Sequence, residues 1–557
     1  MLRLTQLSSI PATGGLYLDG ISDLVTLDLN GGRFLYSISR GVPGITAFSL
    51  RAGSGPLVFD QLGNIPAAPS DPRLTVFAGS GAPQLAVSGI GGTTPSGVLL
   101  TSVGALSSSR LWGDPTAVGR QLDVIEQVST SAGVVLFATR VDAPDLAVML
   151  AETTGNSPTL TALAGPSDAA QRDMRDLATL HVGGEIWLFA ALGEDNRLIS
   201  YRVGSDAGLI AGRSIGAAEG LGISQPEALA TLQMNGVSYL LLASAESSTL
   251  TLFRIDPGGG IVIADHVTDS LSTRFAGASE VEALSTHGRA FVFVAGSDDG
   301  VSIFTVLPGG RLLLLATHVD SAGTTLENVS ALSATVLNNE LQLHVASGSE
   351  AGLTTFRFDL SRIGLTAEGT GLPDTLVGSA GDDLLAGGGG DDFLVGNGGD
   401  DILFDGFGRD TMTGGAGADI FVFAADSARD VVLDFDVSQD RLDLSAYTML
   451  YSASQIDVVP TSWGAVLSYA NEVIDVHSAS GTSLMAAHFT DTLLFNVTRV
   501  LGPSLVSTPR IEGGAAAEHL RGGNQNEIII GNGGNDTIDG GDGADTLYGD
   551  AGFDTLD

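Results

Sequence analysis

Residues 374–422 read DTLVGSAGDDLLAGGGGDDFLVGNGGDDILFDGFGRDTMTGGAGADIFV. The stretch repeats every nine residues, and an aspartate marks each repeat: Asp374, Asp383, Asp392, Asp401, Asp410 and Asp419. Most are preceded by a glycine two places earlier, and each is followed two places later by a large apolar residue: Leu376, Leu385, Leu394, Leu403, Met412 and Phe421. The pattern is the nonapeptide G-G-x-G-x-D-x-U-x, in which U is apolar.

This nonapeptide predicts a tight turn followed by a very short strand. Six residues are too rich in glycine for a strand or helix interior, and glycine lets carbonyl oxygens approach a bound ion. Two nonapeptides complete one coil, so aspartates 18 residues apart stack roughly 4.8 Å from each other. Asp374, Asp392 and Asp410 would line one edge, and Asp383, Asp401 and Asp419 the other. A hard cation with oxygen ligands would remove the repulsion within each column.

The repeats resemble the RTX, or haemolysin-type, calcium-binding family. The resemblance implies a right-handed parallel β-roll that holds several Ca²⁺ ions between successive loops. The alternative is a glycine-rich flexible linker, which six aspartates in register disfavour. Asp405 replaces the first glycine of its repeat and is expected to weaken that site. The predicted ligands of residues 374–423 are the six aspartates and the turn glycines Gly381, Gly387, Gly390, Gly396, Gly399, Gly408, Gly414 and Gly417.

Residues 424–500 are predicted to form a β-rich cap over the last coil, because an uncapped roll exposes a strand edge. Residues 428–445, ARDVVLDFDVSQDRLDLS, resemble the segment that follows the roll in serralysin-type RTX proteins. The match rests on Asp430, Val432, Asp434, Phe435, Asp440, Leu442, Asp443, Leu444 and Ser445, with Ser438 where the family has glycine. The acidic residues here are interpreted as turn residues rather than ligands.

A second block of nonapeptides begins after a predicted linker at 501–517. Residues 518–557 read EHLRGGNQNEIIIGNGGNDTIDGGDGADTLYGDAGFDTLD, with Glu518 in the first aspartate position and Gln525 in place of a glycine. The predicted ligands are Glu527, Asp536, Asp545, Asp554, Gly531, Gly534, Gly540 and Gly543. Because residue 557 ends a nonapeptide with no cap or secretion signal after it, we expect that the natural sequence continues or that another chain covers this end.

The first 365 residues predict an all-β array of seven units. An aligned residue recurs every 50–52 positions, at Phe48, Leu99, Met149, Tyr201, Phe253, Phe304 and Phe356. Each unit has three or four short apolar runs, which favours a seven-bladed β-propeller over an open array of sandwiches or a solenoid. Residues 2–10, LRLTQLSSI, resemble the fourth run of a unit and are expected to complete the last blade. The repeat length is similar to that of lactonase- and YVTN-type propellers.

Composition limits the classes of partner. Residues 374–557 hold 30 acidic and 6 basic residues, and residues 1–373 hold 34 and 19, so acidity concentrates in the repeats. This balance argues against nucleic acid and anionic membranes as partners. There is no cysteine, no classical signal peptide and no apolar run of about 20 residues. The RTX resemblance implies a secreted, extracellular protein exported by type I secretion machinery.

Known catalytic motifs give little support for an enzyme. The eight histidines form no H-E-x-x-H, so a zinc protease is rejected. One G-x-S-x-G occurs, at residues 212–216, but it overlaps the apolar run LIAGRSI (209–215), which is predicted to be a fourth strand, whereas the nucleophile of an α/β-hydrolase sits on a strand-to-helix turn. Blade-start carboxylates at Asp23, Asp176, Glu227, Glu280 and Glu282 are read mainly as turn and cap residues. His266 and His318, equivalent in adjacent units, are read mainly as packing residues. A non-enzymatic protein whose propeller binds a glycan, protein or matrix ligand is favoured over a secreted hydrolase with a site in the propeller channel.

Overall fold

The computed structural model describes most of the 557 residues. The described residues are 4–11, 16–63, 65, 71–78, 83–89, 96–111, 122–140, 146–153, 158–163, 165, 173–495, 497–499, 510–512, 517–522, 528–541 and 545–557. Almost every element is a strand, and the chain forms a seven-bladed propeller followed by parallel β-solenoid coils. In this described part, no helix is both long and apolar enough to cross a membrane.

The propeller confirms the seven predicted units. Strand β1 (Thr5–Pro11) precedes the first blade. The strands of blades 1 to 3 are β2 (Ile21–Leu29), β3 (Gly32–Ser39), β4 (Gly44–Arg51), β5 (Ser54–Gly63), β6 (Arg73–Phe77), β7 (Gln84–Ser88), β8 (Ser96–Leu100), β9 (Leu106–Leu111), β10 (Leu122–Thr130), β11 (Gly133–Arg140), β12 (Ala147–Thr153) and β13 (Pro158–Leu163). Each blade is an antiparallel sheet whose strands follow one another in chain order.

The last four blades are built in the same way. Their strands are β14 (Met174–Val182), β15 (Glu185–Leu192), β16 (Arg197–Val203), β17 (Leu209–Gly216), β18 (Pro226–Met234), β19 (Val237–Ser244), β20 (Thr249–Ile255), β21 (Ile261–Thr268), β22 (Glu280–Thr286), β23 (Arg289–Ala295), β24 (Gly300–Leu307), β25 (Arg311–Val319), β26 (Val329–Leu337), β27 (Glu340–Ser347) and β28 (Gly352–Asp359). The seven aligned residues all lie on the third strand of their blade, where Phe48, Tyr201 and Phe253 are fully or almost fully buried.

The ring closes through the N-terminal strand, as predicted. Strand β1 pairs antiparallel with β28, so that Ile10 lies opposite Leu353 and Ser9 opposite Thr354. Blade 7 therefore takes three strands from the end of the propeller and one from its beginning. The open array of sandwiches and the solenoid, considered for this half of the chain, are excluded by this closure.

Carboxylates at the blade starts join neighbouring blades. Asp23 accepts hydrogen bonds from the backbone N–H of Leu24 and, in the next blade, of Leu74, both at 2.7 Å. Asp176 does the same with Leu177 at 2.9 Å and Leu229 at 2.8 Å. Each carboxylate thus satisfies a strand N–H on both sides of a blade boundary, which accounts for these two residues as structural groups.

The first roll consists of parallel strands in two sheets. Its strands are β29 (Ile363–Glu368), β30 (Thr375–Val377), β31 (Asp382–Ala386), β32 (Phe393–Gly398), β33 (Ile402–Phe404), β34 (Thr411–Ala416), β35 (Ile420–Val422), β36 (Arg429–Phe435) and β37 (Arg441–Asp443). Odd-numbered strands form one sheet and even-numbered strands the other. The inward residues Leu385, Leu394, Leu403, Met412 and Phe421 are all fully buried between the two sheets.

Residues beyond the nonapeptides extend the even-numbered sheet. A meander of β38 (Asp457–Pro460), β39 (Gly464–Tyr469) and β40 (Glu472–Ser478) joins it, with β40 parallel to β36. The short helix α1 (Asp491–Leu494) follows, and β41 (Thr498–Arg499) then leaves the roll and pairs with β21 of blade 5. Residues 444–495 therefore cover the apolar end of the coil, where Leu450, Leu484 and Phe489 are buried.

The second block of repeats forms a smaller roll. Its strands are β42 (Arg510–Glu512), β43 (His519–Arg521), β44 (Ile528–Ile530), β45 (Thr537–Asp539), β46 (Thr546–Tyr548) and β47 (Thr555–Leu556). They form two parallel sheets of three strands each. Leu372 and Phe407 of the first roll pack against its core. Strand β42 lies within residues 501–517, the predicted linker, of which residues 501–509 and 513–516 are outside the described part.

The propeller and the first roll share one core. Leu384, Ile402 and Ile420, on the outer face of the odd-numbered sheet, pack among buried residues of the last two blades. Two buried cations reinforce the contact. Arg289 of blade 6 donates a hydrogen bond to the Asp382 carbonyl oxygen, and Arg311 donates to Asp443 Oδ1 at 2.7 Å.

Candidate metal centre

The backbone register places equivalent residues of the roll 18 positions apart. Thr375 lies opposite Phe393, and Phe393 opposite Thr411, along the even-numbered sheet. Leu384, Ile402 and Ile420 show the same step along the odd-numbered sheet. The predicted coil of two nonapeptides is confirmed, and the aspartates form one column along each edge.

Four aspartates of these columns are bonded to the backbone of the preceding coil. In each, the Oδ1 atom accepts a hydrogen bond from the N–H of the aspartate 18 positions earlier. The four pairs, given as donor and acceptor, are Asp374 and Asp392 at 2.7 Å, Asp383 and Asp401 at 2.7 Å, Asp392 and Asp410 at 2.7 Å, and Asp401 and Asp419 at 2.9 Å. In the first two aspartates, Asp374 and Asp383, Oδ2 instead accepts a hydrogen bond from the N–H of Thr370 and of Ser379, both at 2.6 Å.

Three of the second carboxylate oxygens are buried and lack a donor. Oδ2 of Asp392, Asp401 and Asp410 has no hydrogen-bond partner, although these side chains are at most 3 % exposed. A buried carboxylate oxygen without a partner is costly, and a bound cation removes that cost. These three aspartates therefore present a series of such oxygens along the two columns.

The first glycine of a repeat lets two oxygen atoms approach its backbone closely. A Cβ added to Gly396 would lie within 3.0 Å of both Asp401 Oδ2 and the Gly414 carbonyl oxygen. Gly378, Gly387 and Gly531 show the same relation, each to its own aspartate and to the carbonyl 18 positions later. A carboxylate oxygen and a carbonyl oxygen of the next coil thus lie beside the same glycine, and this donor set fits Ca²⁺.

The fourth-position glycines stack closely from coil to coil. A Cβ on Gly399, Gly408 or Gly417 would lie within 3.0 Å of the carbonyl group of Gly381, Gly390 or Gly399 respectively. Gly390, Gly399, Gly408, Gly417 and Gly534 also have positive φ angles. Gly414 and Gly540 occupy first positions, beside Oδ2 of Asp419 and of Asp545. The assignment of these glycines as carbonyl ligands stays a prediction.

Burial changes the acidity of the columns. Loss of solvent raises the carboxyl pKa of Asp392 and Asp401 from the ordinary 3.8 to about 7, and that of Asp419 to about 6. Neighbouring aspartates of the same column raise the pKa of Asp392 and Asp401 further. In the absence of a cation, the folded roll therefore favours protonated carboxyl groups.

Without calcium, the stability of the roll is expected to fall between about pH 5 and about pH 8. A carboxyl group whose pKa is raised on folding stabilises the folded state fully at pH values below its pKa in the unfolded chain. For Asp392 and Asp401 this contribution is lost as the pH rises through about 7, their pKa in the folded chain. With calcium bound, stability is expected to rise with pH instead, because the carboxylate ligands must be deprotonated to bind the ion. Unfolding midpoints of the full chain with calcium and with chelator, compared at both pH values, would test this; parallel slopes would contradict it.

Two further aspartates, which the sequence analysis read as turn residues, extend the columns. Asp430 Oδ1 accepts a hydrogen bond from Asp410 N–H, and Asp440 Oδ1 accepts one from Asp419 N–H, both at 3.0 Å. The steps are 20 and 21 residues rather than 18. Both aspartates begin a D-x-U pattern in the sequence, as D-V-V at 430–432 and D-R-L at 440–442. Inserted residues shift these patterns out of the nine-residue period, so a search at that period misses them.

The second roll repeats the geometry in part. Asp554 Oδ1 accepts a hydrogen bond from Asp536 N–H, and Asp536 Oδ1 accepts one from Glu518 N–H, both at 2.9 Å. Asp536 is 1 % exposed and its Oδ2 has no partner. Two of the predicted ligands, Glu527 and Gly543, lie outside the described residues.

The two histidines considered as site residues have partners within the propeller. His266 Nδ1 lies 2.9 Å from Thr251 Oγ1 on the neighbouring strand. The His318 ring packs on Phe356, with 4.4 Å between the ring centroids. Burial lowers the pKa of both imidazoles, so they are neutral packing groups near pH 7.

Comparison with known proteins agrees with the site. The family model of the RTX calcium-binding nonapeptide repeat matches residues 368–403, 395–427 and 521–556. The fold and the aspartate columns thus define a calcium-binding β-roll, and the chain carries RTX calcium-binding repeats behind a seven-bladed propeller. No curated protein matches the chain in sequence.

Solved structures with low similarity were also found. BBS1N, crystallised in complex with ARL6DN, is 11 % identical, with coverage of 64 % of this chain and 98 % of that chain and a TM-score of 0.41. A protein from Lactobacillus plantarum is 13 % identical, with coverage of 59 % and 98 % and a TM-score of 0.42. The periplasmic gluconolactonase of Pseudomonas aeruginosa is 16 % identical, with coverage of 55 % and 87 % and a TM-score of 0.41.

Proposed function

We propose that this chain is a secreted, extracellular calcium-binding protein whose repeats fold on calcium after type I export, and whose propeller binds a ligand or surface. The observation that carries the proposal is the pair of aspartate columns, in which the buried Oδ2 atoms of Asp392, Asp401 and Asp410 lack a hydrogen-bond donor. Calcium binding follows from the repeats themselves, and RTX proteins are typically secreted.

The physical basis is the difference in calcium concentration across the cell boundary. Extracellular calcium modules have dissociation constants of roughly 10⁻⁴ to 10⁻³ M, far above the calcium level inside a cell. In the cytoplasm the columns repel themselves and the repeats remain unfolded, which suits passage through a narrow channel. Outside, calcium at ten times the dissociation constant contributes roughly 1.4 kcal/mol per site.

Hydrogen exchange of the full chain, resolved by peptide, tests calcium-gated folding directly. We expect amides of residues 374–443 to become protected cooperatively between roughly 0.1 and 10 mM calcium, and to exchange rapidly in chelator. Blades 1 to 4 serve as the internal control, because none of their described residues belongs to the core that the propeller shares with the roll, and they should be protected in both conditions. Equal protection of residues 374–443 with and without calcium would refute the proposal.

The export step needs its own experiment. The chain, with an RTX-family export signal fused to its C-terminus, is coexpressed with a type I secretion apparatus. We expect the fusion protein to appear in the medium. Release into the medium should require the apparatus. If the calcium concentration inside the cell is high enough to fold the repeats before export, the protein should remain in the cell. Release that is independent of the apparatus would contradict this route.

A binding role for the propeller is supported by an exposed apolar run on its rim. Leu57, Val58 and Phe59 on β5 are 52, 42 and 43 % exposed, and adjacent exposed apolar residues favour an interaction surface. A secreted hydrolase is the alternative; two of its candidate carboxylates, Asp23 and Asp176, are already bonded to backbone N–H groups.

The rim can be tested by retention of the full chain on polysaccharide- and protein-coated surfaces. The double variant Leu57→Ser, Phe59→Ser should lower retention by about tenfold, because it removes two apolar anchors. Ile210→Ser is the matched control, since Ile210 is 49 % exposed on another blade. Equal retention of the wild type and the double variant would exclude the rim as the binding surface.

A further inference from the structure

One repeat of the first roll has a larger side chain in place of its first glycine. Asp405 stands in the first position of its repeat, where other repeats have glycine. At Gly387, one coil earlier, a Cβ would lie within 3.0 Å of Asp392 Oδ2. Asp405 places a real side chain at that point, beside Asp410, the aspartate of its own repeat. The usual arrangement of ligands is therefore altered here.

The Asp405 side chain is held inside the protein by backbone donors. Its Oδ1 accepts hydrogen bonds from Gly406 N–H at 2.6 Å and from Ala424 N–H at 2.8 Å. The residue is 1 % exposed. The sequence analysis expected Asp405 to weaken the site of its repeat, and the structure shows that its carboxylate lies close to those of Asp410 and Asp430.

Three carboxylates converge at this position. One oxygen from each of Asp405, Asp410 and Asp430 lies within 4.8 Å of the other two. All three residues are at most 2 % exposed, and Asp410 Oδ2 has no hydrogen-bond partner. Three buried negative charges at this separation strongly oppose one another unless a cation or protons neutralise them.

A second layer of polar groups surrounds the three carboxylates. Asp426 accepts a hydrogen bond from Gly408 N–H at 2.6 Å, and Glu472 accepts one from Ser427 N–H at 2.9 Å. The Tyr447 hydroxyl is buried without a partner. Burial raises the pKa of Tyr447, and the charges of Asp405, Glu472 and Asp430 raise it further.

We propose that Asp405, Asp410 and Asp430 form a separate Ca²⁺ site at the junction of the first roll and the residues that cover it, and that this junction site binds calcium more tightly than the sites between ordinary repeats. The ligands offered are carboxylate oxygens, with no histidine or cysteine among them, which suits a hard cation. Calcium affinity rises with the number of charged ligands and with the rigidity of the site.

The proposed site would give the roll an order of loading. The junction site joins β34 to β36, because Asp410 precedes the first strand and Asp430 lies on the second. It would be occupied at the lowest calcium concentration and would fix the covered end of the coil, from which the repeats then add coil by coil. Because Asp410 also belongs to one of the aspartate columns, the junction site rests partly on the proposed function.

Calorimetric titration of the calcium-free full chain with Ca²⁺ tests the junction site. The wild type should show one tight step followed by weaker ones. Asp405→Asn keeps an oxygen for the two backbone donors and removes the charge; it should weaken the tight step by about tenfold or more, as losing a ligand costs at least as much as losing a supporting partner. Asp405→Gly restores the common repeat and should convert the tight step into one of the weaker class.

Two matched variants separate this inference from the proposed function. Asp401→Asn, in the opposite column, should weaken later steps and leave the tight step intact. Asp391→Asn removes the same charge at a more exposed position and should change neither the tight calcium-binding step nor the weaker ones. An unchanged tight step in Asp405→Asn would overturn the junction site while leaving the repeat sites standing. If Asp401→Asn also left every step unchanged, the proposed function itself would fall.

Discussion

Replacement of Asp401 by asparagine is expected to raise the calcium concentration that half-folds the roll by about tenfold or more. Asp401 is fully buried and lies between Asp383 and Asp419 in its column. The change removes charge from the two predicted sites that Asp401 borders but keeps an oxygen for the Asp383 N–H. At calcium near ten times the dissociation constant, loss of two sites costs roughly 3 kcal/mol of unfolding free energy.

The measurement is the calcium midpoint for amide protection of residues 374–443 in the full chain. Asp401→Ala should be worse than Asp401→Asn by roughly 1–3 kcal/mol, because it also leaves the buried Asp383 N–H without an acceptor. Asp391→Asn is the control for charge. If Asp401→Asn and Asp391→Asn had the same midpoint, calcium would not be bound through the columns.

Asp392 and Asp401 each belong to two of the four stacked pairs within the nine-residue pattern. The structure adds two aspartates that share this property. Because Asp430 and Asp440 extend the columns, Asp410 and Asp419 also lie between two neighbours. Neutralising Asp410 or Asp419 should therefore cost as much as neutralising Asp392 or Asp401.

Arg499→Met is expected to destabilise the protein by about 3–5 kcal/mol, because it leaves a buried carboxylate without its counter-charge. Arg499 lies on β41 and is 8 % exposed. Its Nη2 atom lies 3.1 Å from Asp265 Oδ2 on β21, and it also donates to the Leu312 carbonyl oxygen and to Ser445 Oγ. One side chain thus joins two blades to the residues that follow the roll.

Chemical unfolding of the full chain at saturating calcium measures this effect. Arg521→Met is the matched control, since Arg521 has a side chain 74 % exposed and only a 3.5 Å contact with Asp539; it should cost no more than about 1 kcal/mol. The double variant Arg499→Met, Asp265→Asn should recover part of the loss, because it no longer buries an unpaired charge. A loss below about 1 kcal/mol in Arg499→Met would show that the pair does not hold the two parts together.

The repetitive parts of this protein could be predicted because their signals are periodic. A nine-residue step fixes which aspartates stack, and a step near 51 residues fixes the number of blades. Strand β1 was recognisable because it has the composition of a fourth strand and no unit ahead of it. The parts of the candidate site that follow this period, from Asp374 to Asp419, were therefore accessible from sequence.

Features that depend on contacts between distant segments had no such signal. The pair of Arg499 and Asp265 spans 234 positions, and the bond from Arg289 to Asp382 spans 93. Asp430 and Asp440 were missed because insertions shift them out of the nine-residue step. Asp405 looked like a defect in its repeat, because only the folded chain shows which carboxylates it meets.

The closure of the propeller by β1 has a consequence for assembly. Ser9 and Thr354 face each other across 345 positions of chain, so the two strands find each other only after the intervening blades have formed. Until then, β28 has a free edge that accepts β1 from any copy of this chain. Refolding at high protein concentration should therefore yield dimers that have exchanged their first strands, and dilution should suppress them.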